Sequence, residues 1–172
     1  HSDAEYFIYT NADIGLMPYF YDTVYSFIAS GFDAFVINRR TLPDIYDNPD
    51  QLALIYSEAG KSHIGHDCFV FSRKIYQDLI LENICIGAPF VGRAMCWNMA
   101  VHANNFKEFK TRHLTFHIGE DKPWKDDKYA DYISYNRNEA IRIIRKLKDK
   151  NGIDKIEENN LLEGMEFLYR HL

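Results

Sequence analysis

The run Tyr6-Phe7-Ile8-Tyr9-Thr10-Asn11-Ala12-Asp13 decides how the rest of the chain is read. Its first five residues are mostly apolar and rich in β-formers, with no polar alternation, which predicts a strand buried on both faces and central in its sheet. Asn11-Ala12-Asp13 cannot continue such a strand, so polar groups gather at its carboxyl end. Working outward, Pro18 opens a helix to about Ala29, with Tyr21, Val24, Tyr25 and Ile28 at helical spacing, and Ser30-Gly31 ends it. Ala34 to Asn38 reads as a second buried strand and Cys68 to Ser72 as a third.

Between those strands, Thr41 to Gln51 reads as a loop or short helix, and Tyr56 to Ile64 carries no clear period. Arg73 to Ile80 and Gly92 to Ala103 read as helices, with an apolar loop or short strand at Ile84 to Pro89. A strand over Phe109 to Phe116 leads into His117-Ile118-Gly119-Glu120-Asp121. Asp131 to Lys150 is strongly helical, Asn151-Gly152 breaks it, and Glu157 to Arg170 predicts a last amphipathic helix. Strands and helices intermix, so the fold class is α/β: a mixed sheet flanked by helices, in a single domain over residues 1–172, with 157–172 as a C-terminal helix.

Composition narrows the function. Hydrophobic residues are 47% and charged residues 26% of the 172, an ordinary balance for a chain with a sizeable core. The net charge of −5 argues against nucleic-acid binding, which needs a basic face to displace counterions. The basic stretch Arg142 to Lys150 lies within a helical pattern and reads as a solvated face. Aromatic residues reach 15%, with 12 Tyr and 12 Phe; such rings pack a core and can also stack on sugars. Cys68, Cys85 and Cys96 are odd in number and set in apolar contexts, so they read as buried thiols of a reducing, cytoplasmic compartment. There is no Asn-x-Ser/Thr sequon, no apolar run of membrane-spanning length and no signal peptide pattern.

Ligands of open α/β sheets sit beyond the carboxyl ends of the strands. Asn11–Asp13, Asn38–Arg40 and His117–Asp121 fall at such ends, and Ile64–Asp67 lies just before a strand. A carboxylate on a tight turn can hold Mg²⁺ or Mn²⁺, or cap the helix that follows. Asp67 can serve as a general base or bond its own turn. His117 is an acceptable Mn²⁺ ligand, with His113 the fallback on the same strand face. Arg39, Arg40 and Arg93 can clamp phosphate or an anionic sugar, or be ordinary surface charges. Lys122 and Trp124 can close over a ligand, and Asn98 can reach a hydroxyl, although Trp97 beside it reads as core.

The stretch from Tyr6 to Gly15 resembles the strand and Asp-x-Asp motif of GT-A nucleotide-diphospho-sugar glycosyltransferases, with Asn11 in place of the first Asp. Gly65 to Phe71 resembles the Gly-x-Asp strand that follows that motif in bacterial and viral transferases. Gly87 to Arg93 resembles the lead into their acceptor-side helix, and His113 to Gly119 a late strand whose His completes the metal shell. The resemblance spans roughly Tyr6 to Lys150 and implies a GT-A-like fold that moves a sugar from a nucleoside diphosphate sugar to a saccharide hydroxyl. It further implies that Asp13 and His117 hold Mn²⁺ or Mg²⁺, and that Asp67 is the base or a donor ligand. Asn11, Asp13, Arg39, Arg40 and Trp124 would face the donor, and Arg93 and Asn98 the acceptor.

In that family a nucleotide-binding region precedes the motif, and here only a few residues, Asp3 to Glu5 after His1-Ser2, precede the strand. The expectation is therefore a metal-motif and acceptor-side portion whose upstream segment or partner domain lies elsewhere. The main rival is a non-catalytic glycan-binding or assembly module derived from the same fold. A third reading is a metal-dependent hydrolase using Asp13, Asp67 and His117.

Overall fold

A computed structural model describes residues 3–120, 126–150 and 152–168. The chain is mixed α/β and sorts into two compact units, one drawn from His1–Ser72 and Asn104–Asp121, the other from Arg73–Ala103 and Lys122–Leu172.

The first unit holds two four-stranded mixed sheets, not the one sheet expected. In the first sheet the order is β1 (Tyr6–Thr10), β6 (Cys68–Ser72), β3 (Ala34–Ile37), β7 (Phe106–Phe109). β6 runs antiparallel to β1 and β3, and β7 runs parallel to β3. In the second the order is β2 (Gly15–Leu16), β8 (Thr115–Ile118), β4 (Arg40–Leu42), β5 (Lys61–Ser62).

The core follows from period two. Phe35 pairs with Val70 and Ile37 with Cys68, so all four share one face. Helix α1 (Phe20–Ala29) covers that face with Phe20 and Val24, and Leu114 completes the buried cluster. Phe27 of α1 stacks on Phe109 with ring centroids 4.0 Å apart. Burial of a Phe or Val side chain of this kind stabilises by roughly 1.5–3 kcal/mol. The helix stops at Gly31, whose φ of +93° is open to glycine and costly for other residues. A second cluster of Met17, Leu42, Ile55 and Phe116 involves the second sheet and α2 (Leu52–Ser57).

The second unit is helical: α3 (Arg73–Asp78), α4 (Val91–His102), α5 (Ala130–Asp149) and α6 (Ile153–Glu158). Residues 94 to 100 of α4 are all buried, and α5 and α6 pack against it. Along α5, Asn136, Glu139, Ala140, Ile143, Ile144 and Leu147 form the buried stripe, at the spacing that puts them on one face. The indole Nε1 of Trp97 donates to the Leu161 carbonyl at 3.0 Å.

Four expectations need correction. β1 is an edge strand, and Ile8 is 39% exposed, because an apolar run looks the same in sequence whether one neighbour or two flank it. Arg40–Leu42 is a strand, not a loop, since the chain leaves the first sheet at Asn38-Arg39 and enters the second. The segment 109–116 divides between the end of β7 and the start of β8, so His117 lies inside a strand. The helix expected over 157–170 is already α6 by Ile153 and ends at Glu158; Asn160 and Gly164 adopt φ of +54° and +73°, which no helix continues through. Among the described residues no helix is long and apolar enough to cross a membrane.

Candidate functional site

The site residues of the first unit gather where β1 and β3 end and β6 begins, and where β2 pairs with β8. β2 and β8 are antiparallel, with Gly15 opposite Phe116 and Leu16 opposite Thr115. This pairing carries the turn holding Asp13 to the strand holding His117, from positions far apart in sequence. His117 Nε2 lies 3.2 Å from Asp13 Oδ2. The imidazole is mostly buried, and the carboxylate is largely exposed. On the other side of the ring, Nδ1 meets the Gly119 carbonyl at 2.9 Å. Gly119 has φ of +81°, which lets the chain turn back on itself, and its N–H donates to the Leu42 carbonyl.

The carbonyl of Gly119 can only accept, so Nδ1 carries the proton. In neutral His117 the Nε2 lone pair then faces the Asp13 carboxylate. Two lone-pair donors aimed at each other call for a positive centre, either a second proton on the ring or a cation. Histidine ligands of metals are held through their other nitrogen in this way, and Asp and His are both acceptable to Mn²⁺. The donor set fits a divalent ion on that count. It is incomplete, because among the described residues no three His, Cys, Asp or Glu side chains converge.

A second cluster lies beside it. Arg39 Nη1 donates to Asp67 Oδ1 at 2.7 Å, and the Asn11 side-chain amide donates to the same oxygen at 3.3 Å. The Asp67 carbonyl accepts from Thr10 Oγ1 at 3.0 Å and from the Asn11 N–H at 3.3 Å. Asp67 and Arg39 are both buried. Asp67 Oδ2 and Arg39 Nε are buried with no hydrogen-bond partner among the described residues.

A third cluster was not visible in the sequence. Glu108 Oε1 accepts from Asn38 at 2.9 Å and lies 3.3 Å from His66 Nε2, with Lys110 3.4 Å from the other oxygen. Burial pushes the Glu108 carboxyl up, but the hydrogen bonds from His66 and Asn38 and the charges around it outweigh burial and hold it down at about 2. Recognising β7 as starting at Phe106 would have drawn attention to Glu108; a strand read from Phe109 leaves it outside.

The remaining candidates are engaged elsewhere. Arg40 donates to the carbonyls of Ala59 and Gly60 and to Ser62 Oγ, tying β4 to β5 and the turn before it. His113 precedes β8, outside the strand that carries His117, and burial, then the Arg40 charge, lower its pKa. Arg93 and Asn98 belong to the second unit. Arg93 reaches the Leu161 carbonyl at 3.4 Å. Asn98 is fully buried, and its amide is taken up by the Ile80 N–H and by the carbonyls of Ile80 and Ala94. It presents nothing to a ligand. Lys122 and Trp124 lie outside the described residues.

No protein-family model matches this chain, and neither a curated protein nor a solved structure does.

Proposed function

We propose that this chain carries the metal motif of a GT-A-type glycosyltransferase, which moves a sugar from a nucleoside diphosphate sugar to a saccharide hydroxyl. The observation that carries the reading is the Asp13–His117 pair, 3.2 Å apart with the far ring nitrogen tied to Gly119. Asp13 and His117 would hold Mn²⁺ or Mg²⁺, and the diphosphate oxygens would fill positions that side chains leave open. When bound, the ion supplies positive charge to the diphosphate leaving group.

Asn11 and Arg39 then face the donor from the adjoining cluster. Asp67 is better suited to positioning them than to taking a proton. One of its oxygens is occupied by Arg39 and Asn11, and the other is enclosed. The rival reading, a glycan-binding module without transfer activity, draws on the fact that among the described residues no third His, Cys, Asp or Glu joins Asp13 and His117. It predicts saccharide binding with no response to nucleotide.

The test is thermal unfolding with UDP, GDP, CMP and their sugars, with and without Mn²⁺, on this chain and on Asp13→Ala. A ligand at a hundred times its Kd adds about 2.7 kcal/mol of stability. A Mn²⁺-dependent shift abolished by Asp13→Ala is the expected result. A shift that persists in the variant, or no shift with any nucleotide, sinks the proposal for this chain.

A further inference from the structure

An open sheet edge offers unpaired main-chain groups to any other strand, and folds guard such edges with short strands or with charges. Three of the edges described above are guarded in this way. β2 and β5 are two residues each, and β5 carries Lys61. β7 carries Lys107 and Glu108. β1 is the exception. It is five residues long, Tyr6-Phe7-Ile8-Tyr9-Thr10, with no charge, no proline and an unbroken register on β6. Among the described residues no strand pairs with its outer side, and Ile8 at its centre is 39% exposed.

The hydrogen-bond pattern fixes which groups β1 turns outward. The Asn11 N–H donates to the Asp67 carbonyl at 3.3 Å, one step past the Thr10–Cys68 pair. On the other side of β6, the Ser72 N–H donates to the Asp33 carbonyl at 2.9 Å, one step past the Ala34–Phe71 pair. Bonded and non-bonded pairs alternate along antiparallel strands. The odd-numbered residues of β6 therefore serve β1, and its even-numbered residues serve β3. Phe7 and Tyr9 direct their main-chain groups at β6, opposite Phe71 and Phe69. Tyr6, Ile8 and Thr10 direct theirs at the open edge.

The spacing of those outward groups selects the occupant. They lie at Ile8 and at the second residue to either side of it, a pattern that is unchanged when the strand is reversed. We propose that β1 is the interface of a homodimer, pairing antiparallel with β1 of a second copy about a two-fold axis at Ile8. Ile8 then faces Ile8, Tyr6 faces Thr10 on each side, and each of these pairs exchanges both main-chain hydrogen bonds. On the opposite face of the sheet Phe7 faces Tyr9. That pairing extends the ring contacts these residues make with Phe71 and Phe69, at 6.2 and 5.8 Å between centroids. The chain has a net charge of −5, so two copies repel, and an uncharged strand is the edge that adds no like charges at the seam. The pairing does not rest on the transferase reading, since it needs neither metal nor nucleotide.

The experiment is sedimentation velocity of the full chain from about 1 µM to about 1 mM, a range that detects Kd values between those limits. The expected result is a shift from monomer to dimer that goes no further, because a two-fold contact closes at two copies. Ile8→Pro removes an outward N–H that β6 does not use, so the strand keeps its place while dimerisation weakens about tenfold or more. Ile8→Lys alone and Ile8→Glu alone should each abolish the dimer, since like charges then stand about 5.5 Å apart across the axis. Mixing those two variants should restore it, which no contact away from Ile8 predicts, and this arm decides should Ile8→Pro fail to fold. Ile64→Lys, at an 87% exposed isoleucine outside β1, should leave the dimer unchanged. A monomer throughout the range, or growth beyond two copies, overturns the assignment. So does a dimer that survives Ile8→Lys, a mixture that fails to restore it, or equal loss in Ile64→Lys.

Discussion

Asp67 Oδ1 lies 2.7 Å from Arg39 Nη1, and both side chains are about nine-tenths buried. Taking either charge away leaves the other in a poorly solvated position with nothing to balance it. Loss of one member of a buried pair costs about 3–5 kcal/mol, whereas replacing both with apolar groups of similar volume is often far milder. Arg39→Met should therefore lower stability by about 3 kcal/mol in urea unfolding, and Arg39→Met with Asp67→Leu should recover part of that loss. Additive losses in the double variant would mean that the pair is not coupled in the way its geometry indicates.

Asp13 behaves differently, because the same distance argument runs through solvent. Its carboxylate is 63% exposed and its partner is a histidine, so screening leaves little net stabilisation. Asp13→Ala should change the urea midpoint by less than about 1 kcal/mol equivalent. This matters for the proposed function: a nucleotide response lost in a variant that is otherwise as stable as the parent reports on binding, not on folding.

The chain shows in its residues why one cluster was legible and its neighbour was not. β3 and β6 are unbroken apolar runs buried on both faces, and α1 and α5 keep a helical period over ten and twenty residues, so their positions follow from pattern alone. β4 is three residues beginning with Arg40, too short for any period to appear. Asp13 and His117 were identifiable as residue types at polar strand ends, but their approach depends on the β2–β8 pairing, and β2 is only Gly15-Leu16. Glu108 escaped because Lys107-Glu108 looks like solvent-facing charge, and what buries it is partnership with Asn38 and His66 from other elements. Pairing of short strands is a tertiary effect, and local sequence carries little of it.

Gly15 is the residue through which that pairing can be tested. An added Cβ would sit 2.3 Å from Cζ of Phe116, its partner across β2–β8, and no ring carbon tolerates such an approach. The Phe116 ring belongs to the buried cluster with Met17, Leu42 and Ile55, so it has little room to give way. Gly15→Ala should cost about 1–3 kcal/mol by overpacking. Phe116→Leu in the same chain should relieve part of the strain, so that the two losses combine to less than their sum in thermal unfolding. Full additivity would show that the two residues do not meet. The same substitution should also weaken any Mn²⁺-dependent nucleotide response, since Gly15 follows Asp13 by two residues.

Glu108 gives the chain a specific response to acid. Its carboxyl titrates at about 2 in the folded state and near the ordinary value of 4.5 when unfolded. A carboxyl whose folded value is depressed stabilises the fold above the unfolded value, where it is ionised in both states, and that contribution drains away as pH falls through the folded value. The unfolded chain binds the proton first, so the loss runs from about pH 5 down to about pH 2. With allowance for solvent around a carboxylate that is only partly enclosed, the contribution is about 2 kcal/mol. Urea unfolding of the parent should weaken across that window beyond what its other carboxylates produce. Glu108→Gln should be less stable at pH 7, because Asn38 and His66 lose an anionic acceptor, and should show a correspondingly flatter acid limb. If the two curves instead stay parallel from pH 7 to pH 2, the hydrogen bonds from Asn38 and His66 do not hold the carboxylate in the way their 2.9 Å and 3.3 Å distances imply.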